Sequence, residues 1–187
     1  MEKEEFSGLS FISLILIMMM PLFITACVND KSANESVMFT SDKPNPGENS
    51  LFLVQDKVTE NSIEVLLISS KITVDRIYGL AFDLDFDPHI IRFIELEKGS
   101  FLEDKDKVIV NYLSALQSDN NAKLVLGISQ QGNMAGVTGQ GIIARFKFEA
   151  VAAGTSILQF SNNSAKNPSL ETISGITWHG GSVRVEM

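Results

Sequence analysis

Residues 77–99, IYGLAFDLDFDPHIIRFIELEKG, restrict the fold of this chain more than any other stretch. Leu80, Phe82, Leu84 and Phe86 alternate with Ala81, Asp83, Asp85 and Asp87. A period of two describes a strand with one buried face and one wet face. Pro88 has no amide hydrogen to give to a ladder, and Asp-Pro is a turn signal, so the strand stops there. A second apolar run follows over residues 90–96, and Gly99 closes it.

The rest of the chain repeats this pattern of short apolar runs between turn residues. Strands are expected over residues 51–55, 62–69, 107–116 and 123–130. Val108, Val110, Tyr112 and Leu116 share one side of the third of these, and Leu124, Leu126 and Ile128 one side of the fourth. Residues 118–121, Ser-Asp-Asn-Asn, form a loop of turn residues. Residues 131–141 hold four glycines and read as a long loop. In residues 142–151, Ile142, Ala144, Phe146 and Phe148 point inward and Arg145, Lys147 and Glu149 outward. Gly154 turns the chain into residues 155–160, and Gly180-Gly181 leads to Val183 and Val185. No 3.6-residue pattern lasts three turns. Eight or nine strands at roughly ten-residue spacing predict an all-β jelly-roll β-sandwich over residues 50–187.

The first 49 residues read differently. Residues 9–20 are apolar apart from two serines, which is shorter than the roughly 20 residues a spanning helix needs and fits a signal-peptide core. Ile24-Thr-Ala-Cys27 resembles a bacterial lipobox. That resemblance implies a signal peptide over residues 1–26, cleavage before Cys27 and lipid attachment to its thiol. Val28 is not the aspartate that retains such proteins at an inner membrane, so the resemblance implies lipid anchoring at the outer membrane. Cys27 is the single cysteine of the chain, which excludes an intrachain disulfide and a cysteine-based zinc cluster. Residues 28–49 are rich in Asn, Ser, Asp, Lys and Pro, with Val37-Met-Phe39 as a brief apolar island. They are expected to be a flexible tether, because so little apolar surface cannot offset the ordering entropy.

Within the domain, the pieces occur in an order that resembles the cohesin domain, a member of a β-sandwich group that also includes carbohydrate-binding modules. These pieces are Ile63-Glu-Val65, Gly79 to the Asp87-Pro88 corner, Gly99-Ser-Phe-Leu102, residues 123–128, the glycine-rich 132–141 stretch, Gly141 to Phe148, and Gly180-Gly-Ser-Val-Arg-Val185. The resemblance implies docking of a protein partner of the dockerin type, a small module that carries its own calcium, so the chain itself needs no cofactor. Cohesins dock through a flat sheet face that includes their third, fifth, sixth and eighth strands. Transferred by parity, the candidate face comprises Gly79, Ala81, Asp83, Asp85, Gly127, Ser129, Arg145 and Lys147. Cellulosomal members place Asn and Asp early in the third strand; here Gly79 and Ala81 stand there, and the acids lie closer to the corner.

Other chemistry finds little support. A formal charge of −8 and the lack of a basic stripe exclude a nucleic-acid partner. Asp83, Asp85 and Asp87 offer oxygen ligands for calcium, but Pro88 and the strand pattern break an EF-hand, so no metal site is assigned. A solvated acidic face relieved by a nearby Lys or Arg is the expectation. Trp178-His179 is expected to cap the core and turn the chain, and His89 to sit in a turn. Two distant histidines and no Gly-x-Ser-x-Gly leave no catalytic triad, and nothing singles out a carboxylate pair. The expectation is a binding protein without turnover, with a possible place in polysaccharide use implied by the family. A polysaccharide ligand is the alternative, although two tyrosines and one tryptophan are few for a stacking strip. A structural or assembly role in an envelope complex is a third.

Overall fold

The computed structural model describes residues 36–103, 110–117 and 123–187. The expected signal peptide, Cys27, Val108 and the loop at residues 118–121 lie outside the described residues. Eleven strands fill the described part, with no helix among them: β1 (Ser36–Ser41), β2 (Ser50–Val58), β3 (Ser62–Ile77), β4 (Gly79–Asp85), β5 (Ile91–Lys98), β6 (Val110–Gln117), β7 (Lys123–Gln130), β8 (Val137–Ala150), β9 (Gly154–Lys166), β10 (Thr177–His179) and β11 (Gly181–Glu186). They form two sheets, one of six strands in the order β1-β11-β9-β4-β7-β6 and one of five in the order β10-β2-β3-β8-β5.

The core lies between the sheets, as the alternation along each strand requires. Leu80, Phe82, Leu84, Leu124, Leu126 and Ile128 come from the larger sheet, and Leu51, Leu53, Ile63, Val65, Leu67, Phe146 and Phe148 from the smaller; all are buried. Phe82 meets Phe146 edge-on across the gap, with ring centroids 6.5 Å apart. Trp178 extends the aromatic cluster, 5.4 Å from Phe82 and 5.3 Å from Phe160. It therefore caps the core, as expected from the sequence.

The fold corrects four sequence expectations. Residues 36–41 are not tether: β1 runs antiparallel to β11, with Val37 opposite Val185 and Phe39 opposite Val183, and both apolar side chains enter the core. Its outer edge is partly satisfied where Gln55 Oε1 accepts the Phe39 amide at 3.0 Å, which blunts an otherwise open edge. The expected long loop over residues 131–141 is shorter, because β8 begins at Val137 and pairs with a β3 that runs on to Ile77. β10, three residues beside β2, has no counterpart in the expected strands. Finally, Ile142 does not point inward. A register shift between Leu67 and Ile68 leaves Ile143 and Ala144 both buried and Ile142 exposed, the mark of a β-bulge.

Tyr112 pins that bulge. Its hydroxyl donates toward the Ile143 carbonyl at 2.9 Å and the Gly99 carbonyl at 3.0 Å. Burial pushes its phenol up to about 12. An unfolded phenol ionises near 10, so the fold favours the neutral form. The stabilisation from this group is complete below about pH 10 and is lost as pH rises from about 10 to about 12. A spectrophotometric titration should show a tyrosine ionising near 12, with chemical stability falling in the same window; ionisation at the ordinary value would contradict it.

Candidate docking face

The outward positions of the six-stranded sheet make one continuous face. From the register, Leu113, Gly127, Ala81 and Ser164 form one row across β6, β7, β4 and β9. Asn111, Ser129, Gly79 and Lys166 form the row on one side of it, and Ala115, Val125, Asp83 and Ser161 the row on the other. The middle of the face has low relief, because glycine, alanine and serine project little. A Cβ placed on Gly127 would touch nothing within 4 Å.

The acids on this face are held by the protein itself. Lys123 Nζ donates to Asp83 Oδ2 at 3.2 Å and lies 3.4 Å from Asp85 Oδ1. Asn162 donates to Asp83 at 2.7 Å, and the Ser161 hydroxyl donates to Asp85. Asn162 reaches this position from a left-handed backbone, φ 49°, where β9 slips by a residue against β4. Asp83 is buried despite its charge, which requires such partners. Proximity to the two carboxylates raises the Lys123 pKa, the Asp83 hydrogen bond being the largest cause. Asp87 leaves the strand: its carboxylate accepts the His89 amide at 2.9 Å and closes the Asp-Pro turn, with His89 exposed within it. Among the described residues no group of three or more His, Cys, Asp or Glu is arranged for a metal ion.

The ammonium of Lys123 thus takes the place a cation would fill between Asp83 and Asp85. Lys123→Met should lower the melting temperature, because a buried carboxylate loses its counter-charge. Millimolar calcium should recover part of that loss in the variant and leave the parent unmoved. Equal melting temperatures for variant and parent would show that the pair is immaterial.

The eight residues expected on one face are divided by the fold. Gly79, Ala81, Asp83, Asp85, Gly127 and Ser129 lie together on β4 and β7. Arg145 and Lys147 lie on β8, in the other sheet, and point to the opposite side of the molecule. There Arg145 is occupied with Asp56, Glu64 and Glu97, in an ion-pair cluster across four strands. On the larger sheet β4 is flanked by β7 and β9, and β9 contributes Ile157, Gln159, Ser161 and Ser164 in their stead. Ile157 is 63 % exposed, and Leu113 on β6 is 75 % exposed. Neither stands out in the sequence, because β6 carries apolar residues on both parities and the outward side of β9 is set by its register with β11 and β4. At the Asp-Pro end the face falls into an open depression of about 490 Å³, lined by residues including Asp85, Asp87, Pro88, His89, Ile157 and Gln159.

Comparison with known proteins agrees with this architecture. The family model described as Cohesin domain matches residues 53–185. Among solved structures, a type II cohesin domain from the cellulosome of Acetivibrio cellulolyticus is similar at a TM-score of 0.55 and 13 % identity, covering 81 % of this chain and 95 % of that one. The sixth cohesin of scaffoldin B from the same organism, solved in complex with a mutant dockerin, gives 0.52 and 16 %, covering 71 % and 96 %. A type I cohesin–dockerin complex from Clostridium thermocellum gives 0.52 and 14 %, covering 79 % and 92 %. No curated protein matches the chain. At these identities the structures speak for the fold, while the family match spans most of the chain, from β2 to β11. The chain belongs to the cohesin domain family.

Proposed function

We propose that this protein is a lipid-anchored envelope protein whose cohesin domain docks a protein partner of the dockerin type, without turnover. The observation that carries the reading is the match to the cohesin family over residues 53–185, together with neighbours of the same fold solved in complex with dockerins. The outer face of the six-stranded sheet is the surface proposed for docking, since its flat centre leaves room for a partner's backbone to come close. Anchoring rests on the lipobox-like Ile24-Thr-Ala-Cys27, and the outer-membrane location on Val28. A place in polysaccharide use follows from the company that cohesins keep. Direct sugar binding has less support: among the described residues every aromatic side chain is buried or half-buried, and Trp178 is packed between Phe82 and Phe160.

Affinity capture tests the docking reading. Residues 28–187 retain the whole of the compact unit at Ala33–Met187 and can be exposed to envelope and secreted extract of the same cells, with and without a chelator. Recovery of a protein with paired Asp-x-Asp calcium loops, lost on chelation and reproduced with the purified pair, supports the reading. Recovery of polysaccharide-bound material alone, or of no such protein, overturns it. Labelling with radioactive palmitate that disappears in Cys27→Ser tests the anchor separately.

A further inference from the structure

Resting on the docking reading, we propose that affinity on this face comes from two aliphatic anchors, Leu113 and Ile157, and that the calcium-loop partner meets them with aliphatic side chains rather than charges. Both residues project from the same outer face, on β6 and β9, and are the most exposed aliphatic side chains on its strands. Strand spacing and rise put them roughly 25 Å apart along a diagonal of the face. Leu113 stands beside Gly127, with Ala81 next in the same row, so the leucine rises at the end of a row of small residues. Ile157 stands at the edge of the depression beside the Asp-Pro corner. A partner that covers both must be long enough to span the diagonal.

The charges of the face point the same way. On its six strands Lys123, Lys166 and Arg184 balance Asp83, Asp85 and Glu186, although the whole chain carries −8. They are also engaged locally. Lys123 holds Asp83 and Asp85, Arg184 lies 2.8 Å from Glu186, and Lys166 donates to Thr172 at 2.7 Å. A partner's charge would find a neutral face whose ions already have partners, and breaking those pairs costs desolvation without a new gain. Exposed aliphatic side chains have no such competing partner and gain fully from being covered.

The test uses the domain with a purified calcium-loop module that it captures, and measures Kd by calorimetry for the parent, Leu113→Ala, Ile157→Ala, the double variant and Lys147→Ser. Both anchors are exposed, so melting temperatures should stay at the parent value, and Leu113→Ser is a second variant if Leu113→Ala does not. Each alanine should weaken binding about tenfold and the pair about a hundredfold, as for central anchors in other interfaces. Lys147→Ser, on the opposite sheet, should bind like the parent. Between about 50 and about 500 mM NaCl, Kd should move less than about threefold, because screening acts on unpaired charge. Alanine variants that bind within twofold of the parent, or a Kd that weakens more than tenfold with salt, would overturn the proposal and leave docking intact. If the parent binds no calcium-loop module at all, both readings fall.

Discussion

Phe82→Ala is expected to destabilise the domain by about 4 kcal/mol, within the range for truncating a buried phenylalanine. Phe82 is 1 % exposed and touches three other rings: Phe146 from the facing sheet, Phe160 from the neighbouring strand and Trp178 from β10. Those partners come from three strands that are fixed by separate ladders, so they cannot all close on the space. The cost is therefore the lost transfer energy plus a residual cavity. Urea denaturation should show a lower midpoint with an unchanged slope, and Trp178 emission should shift to the red in the native baseline as its packing loosens. A loss under about 1.5 kcal/mol would mean that the site collapses, as it does for near-isosteric changes. Because small domains are stable by only about 5–15 kcal/mol, this one ring accounts for a large part of the margin. It also supports the docking face from below, since Ala81 and Asp83 on either side of it are face residues.

That same strand shows what the sequence reveals and why. Residues 80–86 alternate because one side of β4 faces the core and the other water, and the period alone is enough to read it. β1 alternates as well, with Val37 and Phe39 inward. However, its ladder partner among the described residues is β11, near the other end of the chain, and the residues before and after it are polar. Nothing local distinguishes such a strand from a tether with an apolar island. β10 is too short at three residues to show any period. Ile142 illustrates a different limit: a bulge changes parity within a strand, and two adjacent isoleucines give no sign of where it falls.

The candidate site was legible to the same depth. Parity placed Arg145 and Lys147 on the wet side of β8 correctly, since both are outward and half-buried. Parity says nothing about which sheet a strand joins, and β8 pairs with β3 and β5 rather than with β4. Strand order along the chain assigns that strand the place on the face that β9 holds. Leu113 was hidden for a related reason. Val110 and Tyr112 on one parity of β6, and Leu113 and Ala115 on the other, make both sides look apolar, and only the register with Gly127 shows that Leu113 is the exposed one. The acidic corner, by contrast, reads from the sequence as a solvated face that a nearby Lys or Arg relieves: Lys123 does sit opposite Asp85 in the ladder, but Asp83 is buried, not solvated.

Gly99→Ala is expected to cost at least about 3 kcal/mol, in the range reserved for strong overpacking. The reason is steric and lies in the backbone it faces. A Cβ there would come within 2.2 Å of the Ile142 carbonyl oxygen and 2.6 Å of the Ile143 carbonyl carbon. No side chain can swing aside to relieve this, because the obstacle is main chain. Nor can the two segments separate cheaply. The Gly99 amide donates to Ile143 at 3.0 Å, the Phe101 amide to Ile142 at 2.8 Å, and Tyr112 ties the carbonyls of Gly99 and Ile143 together. Moving β5 away from the bulge therefore strains or breaks several hydrogen bonds, each worth about 1 kcal/mol net. Gly127→Ala is the matched control: its new methyl meets open space, so its stability should stay within about 0.5 kcal/mol of the parent. The two variants should also differ in the tyrosine titration. Loosening the Gly99 contact lets water reach Tyr112 and brings its ionisation down from about 12, whereas Gly127→Ala leaves it in place. Equal denaturation midpoints for the two would show that the β5–β8 junction yields, and that the bulge is held by something other than the close approach at Gly99.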